Sequence, residues 1–247
     1  TPSASIVMTS SVPNEGKSTC SVELARAIAT SGKTVLLVEA DMRRRTLASL
    51  LNVRPAAGVY AVLTDAAPLK TAVTPTQTPN LFFLDVEPNI PNPADIISSK
   101  RYQKLVATLE DSYDYVIYDM PPVGTFVDAA ILSTLVDGTV LVVKPGSTKR
   151  SELVDACEQL KKADANILGI CATFCEGTGS EYYYAYYTKD GGRLKDDGDV
   201  AALQAETRTP VPTAGRRAPR GAQGSPVPAG GRGGFAKDPV AGRGRRA

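Results

Sequence analysis

Three short segments of this sequence are apolar along nearly their whole length. They are Thr34–Glu39 (TVLLVE), Asp114–Tyr118 (DYVIY) and Thr139–Val143 (TVLVV). A strand with one solvated face alternates apolar and polar residues, whereas a strand covered on both faces is apolar throughout. The three segments therefore predict central strands of a sheet that is covered on both faces.

Segments with helical spacing alternate with such strands over the first 173 residues. Further strands are predicted at Ala4–Thr9, Leu81–Val86 and Ile167–Thr173. Helices are predicted at Ser18–Ala29, Ser99–Glu110, Asp128–Leu135 and Lys149–Lys162. Parallel strands need a crossover between them, usually a helix, so this alternation is typical of a parallel sheet. The sequence thus predicts an α/β fold with a mostly parallel central sheet and helices on both faces.

The segment between the first predicted strand and the first predicted helix resembles a phosphate-binding loop. It reads SVPNEGKST and matches the pattern G-x-x-x-x-G-K-[ST], except that Ser11 replaces the first glycine. Backbone N–H groups of such a loop bind anions, a lysine contacts the β- and γ-phosphates, and a hydroxyl binds Mg²⁺. The alternative is a chance Gly-Lys-Ser at a helix start. The predicted nucleotide-binding residues are Pro13, Asn14, Glu15, Gly16, Lys17, Ser18 and Thr19.

Carboxylates follow the ends of two predicted strands. Glu39 and Asp41 lie in the segment EADMRR after one strand, and Asp119 ends DYVIYD. Ligands of open α/β sheets bind at the carboxyl ends of the strands, and an acid there orients the water shell of a metal ion. Taken singly, each acid is more typical of a strand-end cap or a solvated loop. Together with Lys17 and Ser18, the acids predict a site for a phosphate ligand and its metal.

Several absences narrow the range of functions. The sequence contains no histidine, which excludes His-based triads and His-bound metals. Its four cysteines lie apart without a C-x-x-C pair, which favours reduced thiols over a zinc site. No apolar run reaches the roughly 18 residues of a membrane-spanning helix, so the chain is not expected to cross a membrane. Its start at Thr1 without a leader indicates a piece of a longer protein.

The C-terminal part of the chain has a composition of its own. Five of the ten tyrosines fall within six positions, namely Tyr182, Tyr183, Tyr184, Tyr186 and Tyr187. An edge strand or a sticky low-complexity patch is one interpretation of this tyrosine cluster. Residues 207–247 carry a net charge of +8, against −6 for the rest of the chain. Gly, Pro and Arg dominate the C-terminal segment, and residues 188–247 are predicted to form a flexible tail.

Four segments occur together in an order and spacing that resemble a known family. They read TSSVPNEGKST, LLVEADMRRRTL, PNPADIIS and DYVIYDMPPV. In combination they are similar to the cytoplasmic kinase domain of bacterial protein-tyrosine kinases, the autokinases of capsule and exopolysaccharide export. The resemblance covers about residues 4–187. It implies a P-loop NTPase-like tyrosine autokinase domain over residues 1–187, with ATP and Mg²⁺ as cofactors and the tyrosine cluster as phospho-acceptor.

The resemblance also implies roles for individual residues. Lys17 and Ser18 would bind the phosphates and Mg²⁺, with Thr19 near the α-phosphate. Asp41 would help to hold Mg²⁺ as the second acid of the Walker A′ motif, and Asp119 would be the Walker B acid. Transfer would then depend on positioning and electrostatic stabilisation at the phosphate loop.

Three positions depart from the pattern of the family. Ser11 replaces a glycine, Glu39 stands where an aspartate usually takes the proton of the tyrosine, and Thr173 stands where an asparagine commonly reads adenine. A catalytically weakened adaptor with a decayed site is therefore one alternative function. A partition-type nucleotide-switch ATPase is another, although that branch carries a second lysine at the position of Val12.

Partners and location follow from the resemblance as well. It implies phosphorylation in trans within a homo-oligomer, and a membrane-spanning polysaccharide co-polymerase half that is either fused upstream or a separate activator. A cognate tyrosine phosphatase is a further expected partner, and no nucleic acid is expected. The expected location is the cytoplasmic side of the bacterial inner membrane.

Overall fold

The computed structural model describes residues 3–175, which form one seven-stranded sheet with helices. The strands are β1 (Ala4–Ser10), β2 (Val35–Glu39), β3 (Val73–Pro75), β4 (Leu81–Leu84), β5 (Tyr115–Asp119), β6 (Gly138–Val143) and β7 (Ile167–Ala172). The helices are α1 (Lys17–Thr30), α2 (Leu47–Leu51), α3 (Val59–Leu63), α4 (Leu69–Ala72), α5 (Pro93–Ile97), α6 (Lys100–Ser112), α7 (Asp128–Leu132) and α8 (Arg150–Lys162). The tyrosine cluster and the predicted tail lie outside the described residues.

The strand order is β3-β4-β2-β5-β1-β6-β7, and every neighbouring pair is parallel except β3 with β4. The predicted α/β fold with a mostly parallel sheet is therefore confirmed. In this order β1 lies between β5 and β6, and β5 lies between β1 and β2. The carboxyl ends of β1, β2 and β5 consequently meet at one edge of the sheet.

Two hydrophobic cores lie on opposite faces of the sheet, as the apolar central strands predict. Strand β2 is buried along its whole length, with Leu36 and Val38 in one core and Val35 and Leu37 in the other. Helix α1 covers the second face. Each fully buried leucine stabilises the fold by about 1.5–3 kcal/mol. This packing holds the strand ends rigidly, so side chains that follow them have fixed positions.

Within residues 3–175, sequence patterns predicted the three long helices and six of the seven strands, but they missed four of the five short helices. Helices α2 to α5 have four or five residues each, too few for an apolar face to repeat. The helix predicted at Asp128–Leu135 ends at Leu132. Strand β3 has three residues at the edge of the sheet and includes Pro75, a residue that strand patterns disfavour. No helix within residues 3–175 combines the length and the apolar character needed to cross a bilayer.

Candidate active site

The phosphate loop runs from the end of β1 to the start of α1 and includes one position that requires glycine. Gly16 has a φ of 82°, in the left-handed region. A Cβ atom there would lie 3.1 Å from Cε2 of Phe174 and 3.4 Å from Cγ2 of Thr173. A side chain would therefore meet both an unfavourable backbone conformation and the residues after β7. The absence of a side chain at Gly16 therefore allows the loop to pass close to the end of β7.

Asp119, the last residue of β5, is the polar centre of the site. Its Oδ2 atom lies 2.8 Å from Nζ of Lys17 and accepts a hydrogen bond of 2.6 Å from the hydroxyl of Ser18. The carboxylate is fully buried, and the lysine is 8% exposed. Because β5 pairs with β1, with Met8 beside Asp119, the acid lies next to the loop that follows β1. The structure thus brings three of the predicted site residues together.

Two hydroxyl groups complete this cluster, and sequence analysis missed both. Ser21 is fully buried and donates a hydrogen bond of 2.8 Å to Oδ1 of Asp119. Thr46 donates one of 3.1 Å to the hydroxyl of Ser18. Ser21 lies four residues after Lys17 on α1. Residues at this spacing share one face of a helix, so the spacing was a signal that could have located Ser21 beside Lys17. Thr46 has no such signal, because it reaches the site from the segment after β2.

Glu39 and Asp41 lie at the end of β2 but have different surroundings. Oε2 of Glu39 accepts hydrogen bonds of 2.7 and 2.9 Å from the N–H groups of Thr46 and Leu47, at the start of α2. Burial, together with the charge of Asp119, raises the pKa of Glu39 to about 8. Oδ1 of Asp41 accepts from the N–H groups of the two residues that follow Met42, and burial raises its pKa. Only Asp41 of the two lines the cavity at the phosphate loop.

The side chain of Glu15 anchors the phosphate loop and does not face the cavity centre. Its Oε2 atom accepts a hydrogen bond of 2.8 Å from the N–H of Val12, and its Oε1 atom accepts from the hydroxyl of Thr148. The hydroxyl of Thr173 is 2.7 Å from the carbonyl oxygen of Glu15 and 3.1 Å from that of Val143. Glu15 is 2% exposed. Its side chain and carbonyl therefore tie the loop to the ends of β6 and β7, which leaves its backbone N–H for a ligand.

A second glycine fixes the other side of the loop. A Cβ atom at Gly124 would lie 2.3 Å from the carbonyl oxygen of Ser11, so no side chain fits there. The N–H of Val123 donates a hydrogen bond of 2.9 Å to the carbonyl of Ser10. Ser11, which replaces the first glycine of the loop pattern, is buried, and its hydroxyl has no partner among residues 3–175.

These residues surround a cavity of about 580 Å³. Six of the predicted nucleotide-binding residues line it in addition to Glu15, namely Pro13, Asn14, Gly16, Lys17, Ser18 and Thr19. A volume of this size suits a small-molecule ligand, and the loop and the N-terminus of α1 suit its phosphates.

The oxygen donors of the site fit Mg²⁺ bound together with a phosphate. Mg²⁺ usually takes one or two carboxylates and completes its shell with water and phosphate oxygens. The carboxylates of Asp41 and Asp119 and the hydroxyl of Ser18 offer that set. Among the residues that the structure describes, no group of three or more acidic or cysteine side chains forms a metal site by itself. The site therefore fits a metal that arrives with the nucleotide.

Comparison with known proteins agrees with this geometry. The profile of a family described as AAA domain matches residues 6–168. The tyrosine-protein kinase YwqD of Bacillus subtilis is 35% identical over 186 residues, which cover 75% of this chain and 78% of that protein. The crystal structure of the chimerical protein CapA2B2 superposes with a TM-score of 0.67 at 32% identity, over 70% of this chain and 76% of that one.

A cell division ATPase, MinD of Pyrococcus furiosus, has a related structure. It superposes with a TM-score of 0.59 at 25% identity, over 68% of this chain and 70% of that one. Its fold is the one expected for a P-loop NTPase. YwqD, which matches at higher identity than MinD, is named a tyrosine-protein kinase. This chain covers more than two thirds of the length of YwqD. This chain therefore belongs to the family of bacterial tyrosine-protein kinases and is a transferase of that family.

Proposed function

We propose that this kinase transfers the γ-phosphoryl group of ATP to its own C-terminal tyrosines. The proposed acceptors are Tyr182, Tyr183, Tyr184, Tyr186 and Tyr187, which lie outside the described residues. The observation that carries the proposal is the convergence of Lys17, Ser18 and Asp119 at a phosphate loop. Half of the tyrosines of the chain follow this domain within a Gly-containing segment, which supports them as acceptors.

The residues that would hold Mg-ATP are Lys17, Ser18, Asp41 and Asp119. When bound, Mg-ATP supplies the phosphoryl group and a divalent charge that offsets the phosphates. The N–H groups of the loop and of the first turn of α1 bind phosphate oxygens. Asp119 orients the hydroxyl of Ser18 and holds the ammonium group of Lys17 beside it. Since the fold fixes these groups before the substrate arrives, little reorganisation is needed during transfer.

The acceptor of the tyrosine proton has two candidates. Glu39 stays a prediction, although it is fully buried and bound to the start of α2. Asp41 is the second candidate, because it lines the cavity, although it is only 7% exposed. Because Asp41 would also help to hold the metal, the comparison is made at saturating Mg²⁺. There we expect Asp41→Asn to slow transfer more than Glu39→Gln, by about 10²-fold or more, as loss of a general base does. Equal losses in both variants, or a larger loss in Glu39→Gln, would return the role to Glu39.

The proposed process is the control of capsule or exopolysaccharide synthesis and export. The proposed partners are a second copy of this chain, a membrane-spanning co-polymerase half and a tyrosine phosphatase. The matched structure of CapA2B2 is described as a chimera, which supports the idea of a partner segment for that protein. Association with the cytoplasmic face of the inner membrane would follow from such a partner.

Intact mass after incubation with Mg-ATP tests the proposed reaction. We expect mass increases in phosphate-sized steps, up to five per chain, that disappear on treatment with a tyrosine phosphatase. Release of ADP without added mass would instead support a nucleotide-switch ATPase of the kind that shares this fold. Neither mass increase nor ADP would support the weakened adaptor.

A further inference from the structure

Three consecutive arginines, Arg43, Arg44 and Arg45, follow the end of β2, and two of them pair with buried carboxylates. The guanidinium of Arg43 lies 3.2 Å from Oδ2 of Asp128 and 4.1 Å from the ring centre of Phe126. The guanidinium of Arg45 forms an ion pair with Asp85. Each of these two arginines therefore serves the packing of the segment after β2.

Both carboxylate partners need their arginines. Asp128 is 1% exposed and Asp85 is 2% exposed. A buried carboxylate without a cation is costly, so removal of its arginine is expected to destabilise the protein. The guanidinium groups of Arg43 and Arg45 are thus held by the fold, although Arg45 also lines the cavity at the phosphate loop.

Arg44 differs from both neighbours in the contacts of its guanidinium. Its backbone N–H donates a hydrogen bond of 2.9 Å to Oδ1 of Asp41, and the residue is exposed, as Arg43 and Arg45 are. The guanidinium contacts Oδ1 of Asn14, in the phosphate loop, at 3.5 Å, which is the outer limit of a hydrogen bond. Within residues 3–175 it forms no ion pair with a carboxylate. Arg44 lines the same cavity as Lys17, Ser18 and Asp41.

The charge of this cavity indicates what Arg44 is for. Lys17 shares its charge with Asp119, and Asp41 adds a second carboxylate. A nucleoside triphosphate keeps a net negative charge even with one bound Mg²⁺, and one shared lysine does not balance that charge together with the carboxylate of Asp41. An arginine binds phosphate oxygens through two parallel N–H bonds, whereas a lysine acts as a point charge.

We propose that Arg44 is a catalytic residue that contacts the phosphoryl group during its transfer. This inference rests on the proposed function of the phosphate loop. The oxygen of the tyrosine forms a bond to the γ-phosphorus as the bond to the leaving oxygen of ADP breaks, and the phenolic proton passes to a carboxylate of the site. Arg44 forms no covalent bond in this step. It stabilises the negative charge on the transferred group.

The test compares Arg44→Ala and Arg44→Lys with the matched variants Arg43→Ala and Arg45→Ala in the full chain. The first measurement is thermal unfolding. Arg44→Ala should keep the unfolding temperature of the parent chain within about 1 °C, since most surface changes are nearly neutral. Arg43→Ala and Arg45→Ala should each lower it by several degrees, because they leave a buried carboxylate unpaired.

The second measurement is nucleotide affinity, with Mg-ADP alone and with Mg-ADP plus aluminium fluoride, which mimics the phosphoryl group in transfer. Arg44→Ala should bind Mg-ADP within about threefold of the parent chain and lose about 10²-fold in the aluminium fluoride complex. Phosphate incorporation should fall by about 10²–10³-fold, with partial recovery in Arg44→Lys.

The outcomes separate this inference from the function on which it rests. An Arg44→Ala variant that forms the aluminium fluoride complex and phosphorylates itself like the parent chain overturns the role of Arg44 alone. A parent chain that binds Mg-ADP but neither forms that complex nor takes up phosphate overturns both proposals. Loss of Mg-ADP binding in Arg44→Ala would make Arg44 a ground-state ligand and would also overturn the proposal.

Discussion

At the scale of single residues, the site is organised around one buried carboxylate with three partners. Asp119 binds Lys17 and Ser18 through one oxygen and Ser21 through the other. A buried carboxylate is stable only when such donors surround it. Each of these donors therefore stabilises the buried carboxylate of Asp119 and also belongs to the phosphate site. A mutation of one donor is expected to affect the step in which that donor takes part.

Replacement of Lys17 by Met should abolish measurable autophosphorylation. The change removes the charge that meets the β- and γ-phosphates but keeps much of the volume. Loss of one such contact typically costs about 10²–10³-fold in rate. Phosphate incorporation from labelled ATP measures the effect, with the exposed Lys161→Met as the control. A Lys17→Met chain that phosphorylates itself at the parent rate would contradict the assignment of the phosphate loop.

Ser21→Ala should raise the Mg²⁺ concentration that half-maximal phosphorylation requires. Without the hydroxyl, Oδ1 of Asp119 loses its donor and the carboxylate is less firmly oriented for the metal. Second-sphere changes of this kind typically cost about 10–100-fold in metal affinity. Ser21→Thr should retain most of the function, and Ser31→Ala, at the exposed end of the same helix, is the control. An unchanged Mg²⁺ dependence in Ser21→Ala would limit Ser21 to a structural role.

The sequence predicted the residues that carry a pattern and missed those that a turn brings in. Lys17 and Ser18 follow from the loop motif, and Asp119 follows from its place at a strand end. Thr46 and Gly124 reach the site from segments without periodicity, so only the fold reveals them. Glu15 belonged to the predicted loop, but its anchoring contacts to the ends of β6 and β7 depend on strand order and therefore need the structure.

At the scale of elements, hydrogen-bonded pairs of polar residues connect neighbouring strands at their amino ends, opposite the site. Asp114, just before β5, accepts hydrogen bonds of 2.8 Å from the N–H and the hydroxyl of Thr34, just before β2. Asp137, just before β6, and Ser5, the second residue of β1, form a similar pair. These pairs help to set the register of parallel strands, which no tight turn connects.

Asp114→Asn should lower the unfolding temperature at pH 7 and have a smaller effect below about pH 3. Hydrogen bonds from Thr34 and the charge of Lys33 lower the pKa of Asp114 below its ordinary value. The stabilisation is thus complete above the pKa of the unfolded state, near 3.9, and is lost as the pH falls through the lower folded value. Unfolding scans across pH measure the difference, with the exposed Asp111→Asn as the control. A difference that stays constant down to pH 2 would contradict this interpretation.

At the scale of the whole molecule, the tyrosines divide by position. Tyr102 and Tyr118 are fully buried, and burial raises the pKa of both above the ordinary value. Tyr60 is 37% exposed and is the most accessible tyrosine that the structure describes. The five clustered tyrosines follow this domain in the sequence. The fold therefore leaves few acceptors within residues 3–175.

Replacement of the five clustered tyrosines by Phe should remove most of the incorporated phosphate. Nucleotide affinity should stay within about twofold of the parent chain, since the change leaves every residue of the phosphate loop in place. Phosphopeptide mapping and titration with a fluorescent ADP measure the two quantities, and Tyr60→Phe is the control. Label found mainly on residues 3–175 would contradict the acceptor role of the cluster.

The position of β1 in the sheet determines when, during its synthesis, this protein becomes able to bind nucleotide. Strand β1 is the first strand of the sheet along the chain, yet its partners are β5 and β6, and Ala4 pairs with Tyr115. A nascent chain that ends before β5 has the phosphate loop but neither a neighbour for β1 nor the carboxylate of Asp119. Such long-range parallel pairing is slow and leaves apolar edges exposed in the meantime. On the ribosome, nucleotide therefore cannot act as a folding ligand until more than half of the domain has emerged.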